Sequence, residues 1–355
     1  MDSFALIFCF ALIPFVSSLQ TASTEWGIDL CPDPLEIDPC ICSTEDYDIN
    51  FDCSGVLTED QLREIFADSF PGTDARKLTI KDNSFLTVLH DGVFGKTQFI
   101  EVHISGTNIH TIEAGAFRGS YDRVVKMVLS DNKLISFPFG EVANFTKLEQ
   151  LDLTSNLIDN LRKISSDSLE DLFVGANMLT NIPANTFNNT PQLKRFRAGR
   201  NTITSIDDQT FSTLHSLQQV DLTANQIKKI GRHTFIFNGT VTSLYLSFNS
   251  ISSLGENAMM GVTNMMNIES NSLKTFDEGV WRPVLEDGAV VSIKNNPLQC
   301  DCDIRWLIVD DQFLSQIMSG ATCQDGTLIH EIDPAYFDYC IATTVAQNTE
   351  HYDFD

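Results

Sequence analysis

The cysteines are the side chains in this sequence whose type and spacing could do chemistry. Apart from Cys9, they fall in two groups of four at opposite ends of the chain. The front group is Cys31, Cys40, Cys42 and Cys53, and the rear group is Cys300, Cys302, Cys323 and Cys340. Even numbers at the two ends predict disulfides in an oxidising compartment, although a C-x-C pair could bind a metal ion in a reducing one.

No other set of reactive side chains forms a catalytic pattern. The sequence has no G-x-S-x-G, no H-E-x-x-H, no phosphate-binding glycine loop and no dinucleotide fingerprint. Its seven histidines are scattered, and acidic pairs such as Asp207–Asp208 are adjacent in sequence, which favours solvated positions. We therefore expect no catalytic residue, no metal site, no cofactor and no enzymatic activity of this chain by itself.

The N-terminal residues indicate the compartment. Residues 1–18 hold an apolar run from Phe4 to Val16 followed by two serines, which predicts a secretory signal peptide, although the start carries Asp2 and no basic residue. A signal anchor is the alternative, but the run is shorter than the roughly 20 residues that a membrane helix needs. No later segment is apolar enough to cross a membrane, and the tail after Cys340 lacks a lipid-anchor signal. We expect a secreted, extracellular protein.

The charge balance excludes two classes of partner. The chain carries 23 basic and 48 acidic residues, a formal net charge of −25. A long-range negative potential repels nucleic acid and anionic membranes, so we expect neither as a partner. Solubility is the simplest interpretation of the charge, and a cationic partner also fits it.

The sequence between the two cysteine groups repeats with a period of about 24 residues. Phe196, Ala198, Asn201, Ile203 and Phe211 return as Val220, Leu222, Asn225, Ile227 and Phe235. The Asn position is occupied in turn by Asn83, Thr107, Asn132, Asn156, Asn177, Asn201, Asn225, Asn249, Asn271 and Asn296. A period in this range with an L-x-L-x-x-N-x-L-x-x-L core is the leucine-rich repeat.

The chemistry of one unit predicts the fold. The apolar residues around a short strand point into a shared core, the Asn side chain bonds backbone groups of the turn, and the Phe column stacks behind the strand. No unit can bury its own apolar face, so neighbouring units must stack. We therefore predict an α/β leucine-rich repeat solenoid, a horseshoe with a concave parallel β-sheet.

The cysteine groups cap the two ends of this array. CPDPLEIDPCICSTEDYDINFDCS resembles the N-terminal cysteine-rich cap of extracellular leucine-rich repeat proteins, and NPLQCDCDIRWL with the last two cysteines resembles the C-terminal cap. In that family the first cysteine pairs with the third and the second with the fourth. The resemblance therefore implies the pairs Cys31–Cys42, Cys40–Cys53, Cys300–Cys323 and Cys302–Cys340. Each bridge typically stabilises the fold by about 2–4 kcal/mol.

The predicted organisation follows from the caps. It comprises a signal peptide (1–18), a short mature segment (19–30), an N-terminal cap (31–77), leucine-rich repeats (78–295), a C-terminal cap (296–340) and an acidic tail (341–355). A short helix with Thr58 as N-cap is expected in the first cap. Pro283 and Gly288 are expected to interrupt any long helix after the repeat of Asn271.

Further motifs resemble one group of proteins. They are CPDPLEIDPCIC, FADSFPGTDARKLTIKDN, VLHDGVFG, GSYD, VWRPVLEDG, NPLQCDCDIRWLIVDD and IDPAYFDYC. Together they resemble the crustacean secreted proteins similar to the non-catalytic subunit of Oplophorus-type shrimp luciferase. This resemblance implies a secreted leucine-rich repeat subunit that associates with another protein and itself lacks oxidase chemistry.

The outward strand positions are the candidate binding surface. The candidates are Phe173, Arg195, Arg197, Arg200 and Tyr245, with Asp152 and Asp221 as further candidates. Aromatic and Arg side chains are enriched at binding hot spots, and small residues beside them leave room for a shallow trough. The alternative is that a polar strand face holds mixed residues and that the Arg cluster pairs with Asp171 and Asp221.

Three functions remain open at this point. The first is a secreted protein-binding module, such as a stabilising subunit of an oxidase or luciferase-like complex. The second is a matrix protein that binds collagen-like or glycan polymers, and the third is a recognition protein for microbial surfaces. One solenoid architecture hosts many ligands, so the sequence does not separate them.

We expect glycans on at least two of the three Asn-x-Ser/Thr sites, Asn144, Asn188 and Asn238. All three lie in stretches that lead up to a strand, away from the concave face, where a bulky glycan is tolerated. The alternative is chance matching in an Asn-rich repeat. Deglycosylation of the secreted protein in heavy-oxygen water, followed by peptide mass spectrometry, will mark each occupied site, with Asn→Gln variants as controls. Occupancy of one site or none contradicts the expectation.

Overall fold

A computed structural model describes residues 30–67 and 74–340. The predicted signal peptide (1–18), residues 19–29 of the short mature segment and the predicted acidic tail (341–355) lie outside the described residues.

The described residues form short strands and shorter helices. The strands are β1 (Ile41–Glu45), β2 (Asp48–Asp52), β3 (Asp74–Lys81), β4 (Val88–Leu89), β5 (Gln98–Ser105), β6 (Thr111–Ile112), β7 (Lys126–Val128), β8 (Gln150–Asp152), β9 (Asp171–Phe173), β10 (Asn181–Ile182), β11 (Arg195–Arg197), β12 (Ser205–Ile206), β13 (Gln219–Asp221), β14 (Lys229–Ile230), β15 (Phe235–Tyr245), β16 (Ser253–Leu254), β17 (Met259–Asn267) and β18 (Val290–Ser292). The helices are α1 (Pro34–Ile37), α2 (Glu59–Ile65), α3 (Glu278–Glu286), α4 (Arg305–Ile308) and α5 (Asp311–Ser315).

One long sheet, the main sheet, carries the repeats. Among the described residues its strands follow the order β1-β2-β3-β5-β7-β8-β9-β11-β13-β15-β17-β18, and every neighbouring pair after β1–β2 is parallel. Three small parallel sheets, β4–β6, β10–β12 and β14–β16, pair the segments that follow the Asn turns. The predicted leucine-rich repeat solenoid is therefore confirmed, and its outward strand positions form the concave face.

The core forms because each three-residue strand of the main sheet buries its middle side chain. Leu172, Phe196, Val220 and Leu244 are fully buried in consecutive strands of the main sheet. Behind them, the rings of Phe187, Phe211 and Phe235 stack with centroid separations of 5.8 Å at both steps. The predicted Phe column is thus confirmed in these three units, and it gives each of them an aromatic contact with its neighbour.

The Asn column binds each unit to the unit before it. Asn225 Nδ2 donates to the carbonyls of Leu222 in its own unit (2.9 Å) and of Ala198 in the preceding unit (3.0 Å). Its Oδ1 accepts from the backbone N–H of Ile203, also in the preceding unit, at 3.0 Å. The prediction placed these bonds in the turn, and the structure adds that they cross between units.

The residue before each Asn has a left-handed backbone, as Ala224 (φ 56°) and Arg200 (φ 58°) illustrate. This conformation costs a non-glycine residue about 1–2 kcal/mol. A backbone hydrogen bond to the next unit, such as the one from Arg200 N–H to Thr223 O at 2.8 Å, offsets that cost. The turn geometry is therefore sustained by stacking rather than by glycine.

Disulfides close both caps. The bridges join Cys31 to Cys42, Cys40 to Cys53, Cys300 to Cys323 and Cys302 to Cys340, the same pairs that the family resemblance implies. In the first cap, Thr58 Oγ1 accepts from Gln61 N–H at 3.1 Å, which confirms Thr58 as the N-cap of α2. In the second, Trp306 Nε1 donates to Phe276 O at 3.0 Å and lies over the last repeat.

Two local expectations were wrong. Helix α3 runs through Pro283, which was expected to interrupt it, and ends before Gly288 (φ 94°). Its buried Trp281 stacks on Phe276 with ring centroids 4.6 Å apart, and this burial outweighs the one hydrogen bond that a proline removes. Asn238 lies inside β15 rather than before a strand, at the register irregularity between Ile236 and Val241.

Replacing Leu222 with alanine should lower the free energy of unfolding by about 2–5 kcal/mol, because the side chain is fully buried and its removal leaves a cavity. Chemical denaturation of the oxidised protein, followed by circular dichroism, measures the loss. The exposed neighbour Gln226 provides the control, since Gln226→Ala should change stability by less than about 0.5 kcal/mol. A Leu222→Ala protein as stable as wild type would mean that the repeat register is wrong.

Candidate functional site

The parallel register places five of the predicted residues in one row across the concave face. Asp152 pairs with Phe173, Phe173 with Arg197, Arg197 with Asp221, and Asp221 with Tyr245, on strands β8, β9, β11, β13 and β15. Side chains at paired positions of parallel strands lie on the same face of the sheet. The row is therefore a continuous surface rather than a set of scattered positions.

A depression of about 540 Å³ lies along this row, and we call it the trough. It is lined by Asp152, Thr154, Ser155, Phe173, Gly175, Ala176, Arg197, Gly199, Arg200, Asp221 and Thr223. Gly175 and Gly199 form its floor: a Cβ added to them would lie 3.2 Å from Gly199 O and 3.0 Å from Thr223 O. A side chain at either position would therefore crowd a backbone carbonyl of the next strand, and glycine avoids that contact.

Arg197 lies in the middle of the trough, held by neutral groups. Its guanidinium carbon lies 5.0 Å from the centre of the Phe173 ring, and Nη2 donates to Gln219 Oε1 at 3.2 Å. A cation–π contact of this kind contributes about 0.5–1 kcal/mol at an exposed site. Within the described residues Arg197 makes no ion pair.

The carboxylates of the trough are held by their own strands. Asp152 Oδ1 accepts from Thr154 N–H and Asp221 Oδ1 accepts from Thr223 N–H, both at 2.9 Å. Neither carboxylate makes an ion pair with Arg197 among the described residues. The alternative that the Arg cluster pairs with Asp221 is therefore wrong for the described residues.

Arg195 has a different role from the other two arginines. Two of its N–H groups donate to the carboxylate of Asp171, which is 8% exposed. The bonds to Asp171 raise the pKa of Arg195, and partial burial only partly opposes them. Arg195 lies outside the trough, in a separate depression of about 440 Å³ with Glu149 and Glu170. The alternative of pairing with Asp171 is thus correct for this one arginine.

Of the remaining candidates, Arg200 lines the trough and Tyr245 does not. Arg200 is exposed at its turn, lines the trough, and makes no ion pair within the described residues. Tyr245 belongs to the row but does not line the trough. As binding residues, all seven candidates stay predictions.

Two exposed apolar side chains in the turns of the units that carry Asp152 and Phe173 were missed. Leu157 and Met178 are 41% and 53% exposed, each directly after the Asn of its unit. Most other units carry a polar residue at this position, among them Lys133, Thr202 and Gln226. That departure from the repeat was the signal available in the sequence.

Other reactive groups give no second site within the described residues. His103 Nε2 lies 3.1 Å from Glu101 Oε2, and burial lowers the pKa of the imidazole despite that contact. No cluster of three His, Cys, Asp or Glu side chains in the described ranges could hold a metal ion. The eight cysteines after Cys9 are bridged, which removes the metal alternative for the C-x-C pairs. No helix in this part of the chain is long and apolar enough to span a membrane.

The glycosylation sites lie apart from the trough. Asn144 ends a short 3₁₀ helix (Phe139–Asn144) and is exposed, as is Asn188. Asn238 lies in β15, before the part of that strand that pairs with β13. Their occupancy stays a prediction.

Comparison with known proteins identifies the repeats. The family model described as "Leucine rich repeat" matches residues 167–227 and 215–273. The model described as "BspA type Leucine rich repeat region (6 copies)" matches residues 52–173. The chain is similar to the Oplophorus-luciferin 2-monooxygenase non-catalytic subunit of Oplophorus gracilirostris, with 34% identity over 312 residues, covering 86% of this chain and 87% of that protein.

Two solved structures share the fold. A chain of the octameric complex of Latrophilin 3 (Lec, Olf), Unc5D (Ig, Ig2, TSP1) and FLRT2 (LRR) superposes with a TM-score of 0.65 at 20% identity, covering 79% of this chain and 87% of that one. A chain of the Toll–Spatzle complex, from Drosophila, superposes with a TM-score of 0.52 at 19% identity, covering 73% and 42%. At these identities the likeness shows the fold alone.

The two neighbouring arginines should differ in their effect on stability. Arg195→Ala should lower the free energy of unfolding by about 1–3 kcal/mol, because it leaves the buried Asp171 carboxylate without its donors. Arg197→Ala should change it by less than about 1 kcal/mol, since its contacts are exposed. Denaturant unfolding of both variants measures the difference. Equal losses would contradict the division between a structural and a free arginine.

Proposed function

Because this chain belongs to the leucine-rich repeat proteins, in the family of the Oplophorus-luciferin 2-monooxygenase non-catalytic subunit, we propose that it is a secreted, non-catalytic subunit that binds another protein. The relative's name describes a subunit without catalysis, and the shared length of the two chains supports the same role here. The partner in this proposal is an extracellular protein, such as the catalytic chain of an oxidase or luciferase-like complex that the solenoid stabilises.

The trough is the observation that carries this proposal. It presents Phe173 with Arg197 above its ring, and Arg200 at its rim, on a rigid parallel sheet. Aromatic and Arg side chains make the largest contributions at protein interfaces, and rigid placement lowers the entropy that binding must overcome. Asp152 and Asp221 add acceptors at the two sides, which supports directional recognition of polar groups.

The caps support the extracellular location. The four disulfides persist only where the environment is oxidising, and the predicted signal peptide would direct the chain there. A secreted partner would meet the concave face without crossing a membrane.

The native assembly provides the first test. We would measure the mass of the native protein in the secretion that contains it, cross-link the complex, and map the cross-linked peptides by mass spectrometry. A stoichiometric second polypeptide cross-linked near the trough supports the proposal. A lone monomer contradicts it and favours a matrix or microbial-surface role. Cross-links confined to the side opposite the main sheet leave a protein-binding subunit but contradict binding through the trough.

Replacing Phe173 and Arg197 together with alanine should weaken binding of that partner by about 2 kcal/mol or more, roughly 30-fold in Kd. Both side chains are on the surface, so the fold should persist, and surface plasmon resonance with the purified partner measures the change. A matched control replaces Phe85 and Arg162, an exposed aromatic residue and an exposed arginine outside the trough. Unchanged affinity of the Phe173/Arg197 variant, or an equal loss in the control, would move the binding site elsewhere.

A further inference from the structure

The main sheet ends differently at its two edges. At the C-terminal edge, the segment after α5 covers β18, because Val291 N–H donates to Gln316 O and Met318 N–H donates to Val291 O, both at 2.8 Å. At the N-terminal edge, β1 pairs with β2 on one side, and no backbone group of the described residues pairs with it on the other. An uncovered edge strand presents free N–H and C=O groups with which another chain can pair.

The hairpin of β1 and β2 determines which backbone groups are free. Its two-residue turn has positive φ at both positions, so Glu45 and Asp48, which flank the turn, form a hydrogen-bonded pair. Hydrogen-bonded pairs alternate along an antiparallel ladder, and Ser43 therefore also bonds to β2. The backbone groups of Cys42 and Thr44 point the other way, toward the open side.

Strand β1 lacks the features that usually protect a sheet edge. It contains no proline, no lysine and no bulge, and all of its residues except Cys42 are exposed. Ile41 is 68% exposed, and the single charged residue, Glu45, lies at the end of the strand. A depression of about 510 Å³ lies beside β1, lined in part by residues 41–44 and by Pro32 and Pro34. Space for a further strand is therefore available.

The chain around β1 is acidic throughout. Residues 31–52 contain seven Asp and Glu residues and no Lys, Arg or His. Asp48 pairs with Arg76 at 3.0 Å, and the other six make no ion pair within the described ranges. Glu45 and Asp46 are both exposed beside the open edge. A second copy of this chain would bring two such surfaces together, whereas a cationic segment is attracted to them.

We propose that β1 binds an extended, basic segment of another extracellular protein by strand addition. Backbone groups of that segment pair with those of Cys42 and Thr44, and its Lys or Arg side chains lie near Glu45 and Asp46. In this mode of recognition the main-chain hydrogen bonds supply affinity and the side chains supply specificity. The site is separate from the trough, so this inference goes beyond the proposed function and does not depend on it.

Synthetic peptides of three kinds test the chemistry of the occupant. One labelled peptide alternates Lys and Thr, and a second alternates Glu and Thr. A third alternates Lys and Pro, which keeps the charge but removes every second N–H and disfavours β pairing. Fluorescence anisotropy with the full secreted chain should show saturable binding of the Lys/Thr peptide and at least about tenfold weaker binding of the other two. No binding of the Lys/Thr peptide, or equal binding of either control, overturns the proposal.

Replacing Thr44 with proline tests the open edge itself. Proline removes the N–H that points outward and leaves the hydrogen bonds between β1 and β2 in place, since an edge strand tolerates proline on its open side. Thr44→Pro should bind the Lys/Thr peptide at least about tenfold more weakly than Thr44→Val, which keeps the N–H. Equal affinity of the two variants overturns strand addition.

Removal of charge tests the acidic surroundings, and it also serves if Thr44→Pro is not secreted. Glu45→Gln with Asp46→Asn should weaken binding of the Lys/Thr peptide about threefold or more, and Asn tolerates the left-handed backbone at position 46. Glu331→Gln with Asp338→Asn makes the same charge change at two exposed residues of the C-terminal cap and should leave binding unchanged. Equal effects of the two double variants overturn the proposal, because the peptide would then respond to net charge alone.

Hydrogen exchange, measured at single amides by mass spectrometry, locates the contact. In the free chain the amides of Cys42 and Thr44 should exchange faster than that of Ser43, and the Lys/Thr peptide should slow the first two. If both amides are already protected in the free chain, another part of the chain or a second copy covers β1, and the proposal is overturned. Protection that appears only on other strands overturns it as well.

Discussion

Each unit of the solenoid ends its strand in a turn whose backbone N–H and C=O groups point into the protein, away from water. A buried polar group without a partner destabilises a fold by about 1–3 kcal/mol, so every turn must be satisfied. The Asn side chain satisfies it with two donors and an acceptor, as Asn225 does for Ala198, Leu222 and Ile203. Because two of these three bonds lie in the preceding unit, no unit is complete without its neighbour.

The N-terminal cap meets the same need for hydrogen-bond partners at the end of the Asn column. Asn83, the first of the column, donates to the carbonyls of Ser54 (3.0 Å) and Val56 (2.6 Å), which the disulfide-bonded N-terminal cap supplies in place of a preceding repeat. At Thr107 the column loses its amide, and a hydroxyl bonds Asn132 Oδ1 at 2.6 Å instead. One hydroxyl cannot replace two N–H donors, so the chain tolerates this substitution once among strongly stacked neighbours. Because the same hydrogen bonds satisfy the turns in successive units, the outward strand positions are free to carry Phe173, Arg197 and the two glycines of the trough.

The fixed period explains what could be predicted from the sequence. The row from Asp152 to Tyr245 follows from counting in units, because parallel strands in register must align equivalent positions. The charge pairing does not follow from counting. Arg195 and Arg197 both face an acidic residue on an adjacent strand, yet Asp171 accepts from Arg195 whereas Asp221 accepts from Thr223 N–H. Which arginine pairs with a carboxylate depends on the competing contacts: Thr223 N–H donates to Asp221, and Arg197 lies over the Phe173 ring. The exposure of Met178 and the passage of α3 through Pro283 depend likewise on packing between distant residues.

The crossing hydrogen bonds of the Asn column also have an evolutionary consequence. Each Asn of the column from Asn156 to Asn296 makes the same hydrogen bonds to the unit before it. Asn201 and Asn271, for example, each donate to one backbone carbonyl and accept from one backbone N–H of the preceding unit. Loss or duplication of one entire unit therefore joins two surfaces that already match, whereas a change of half a unit does not. The length of such a chain can change in whole steps of the period, and each step would shift the trough relative to the caps without redesigning either.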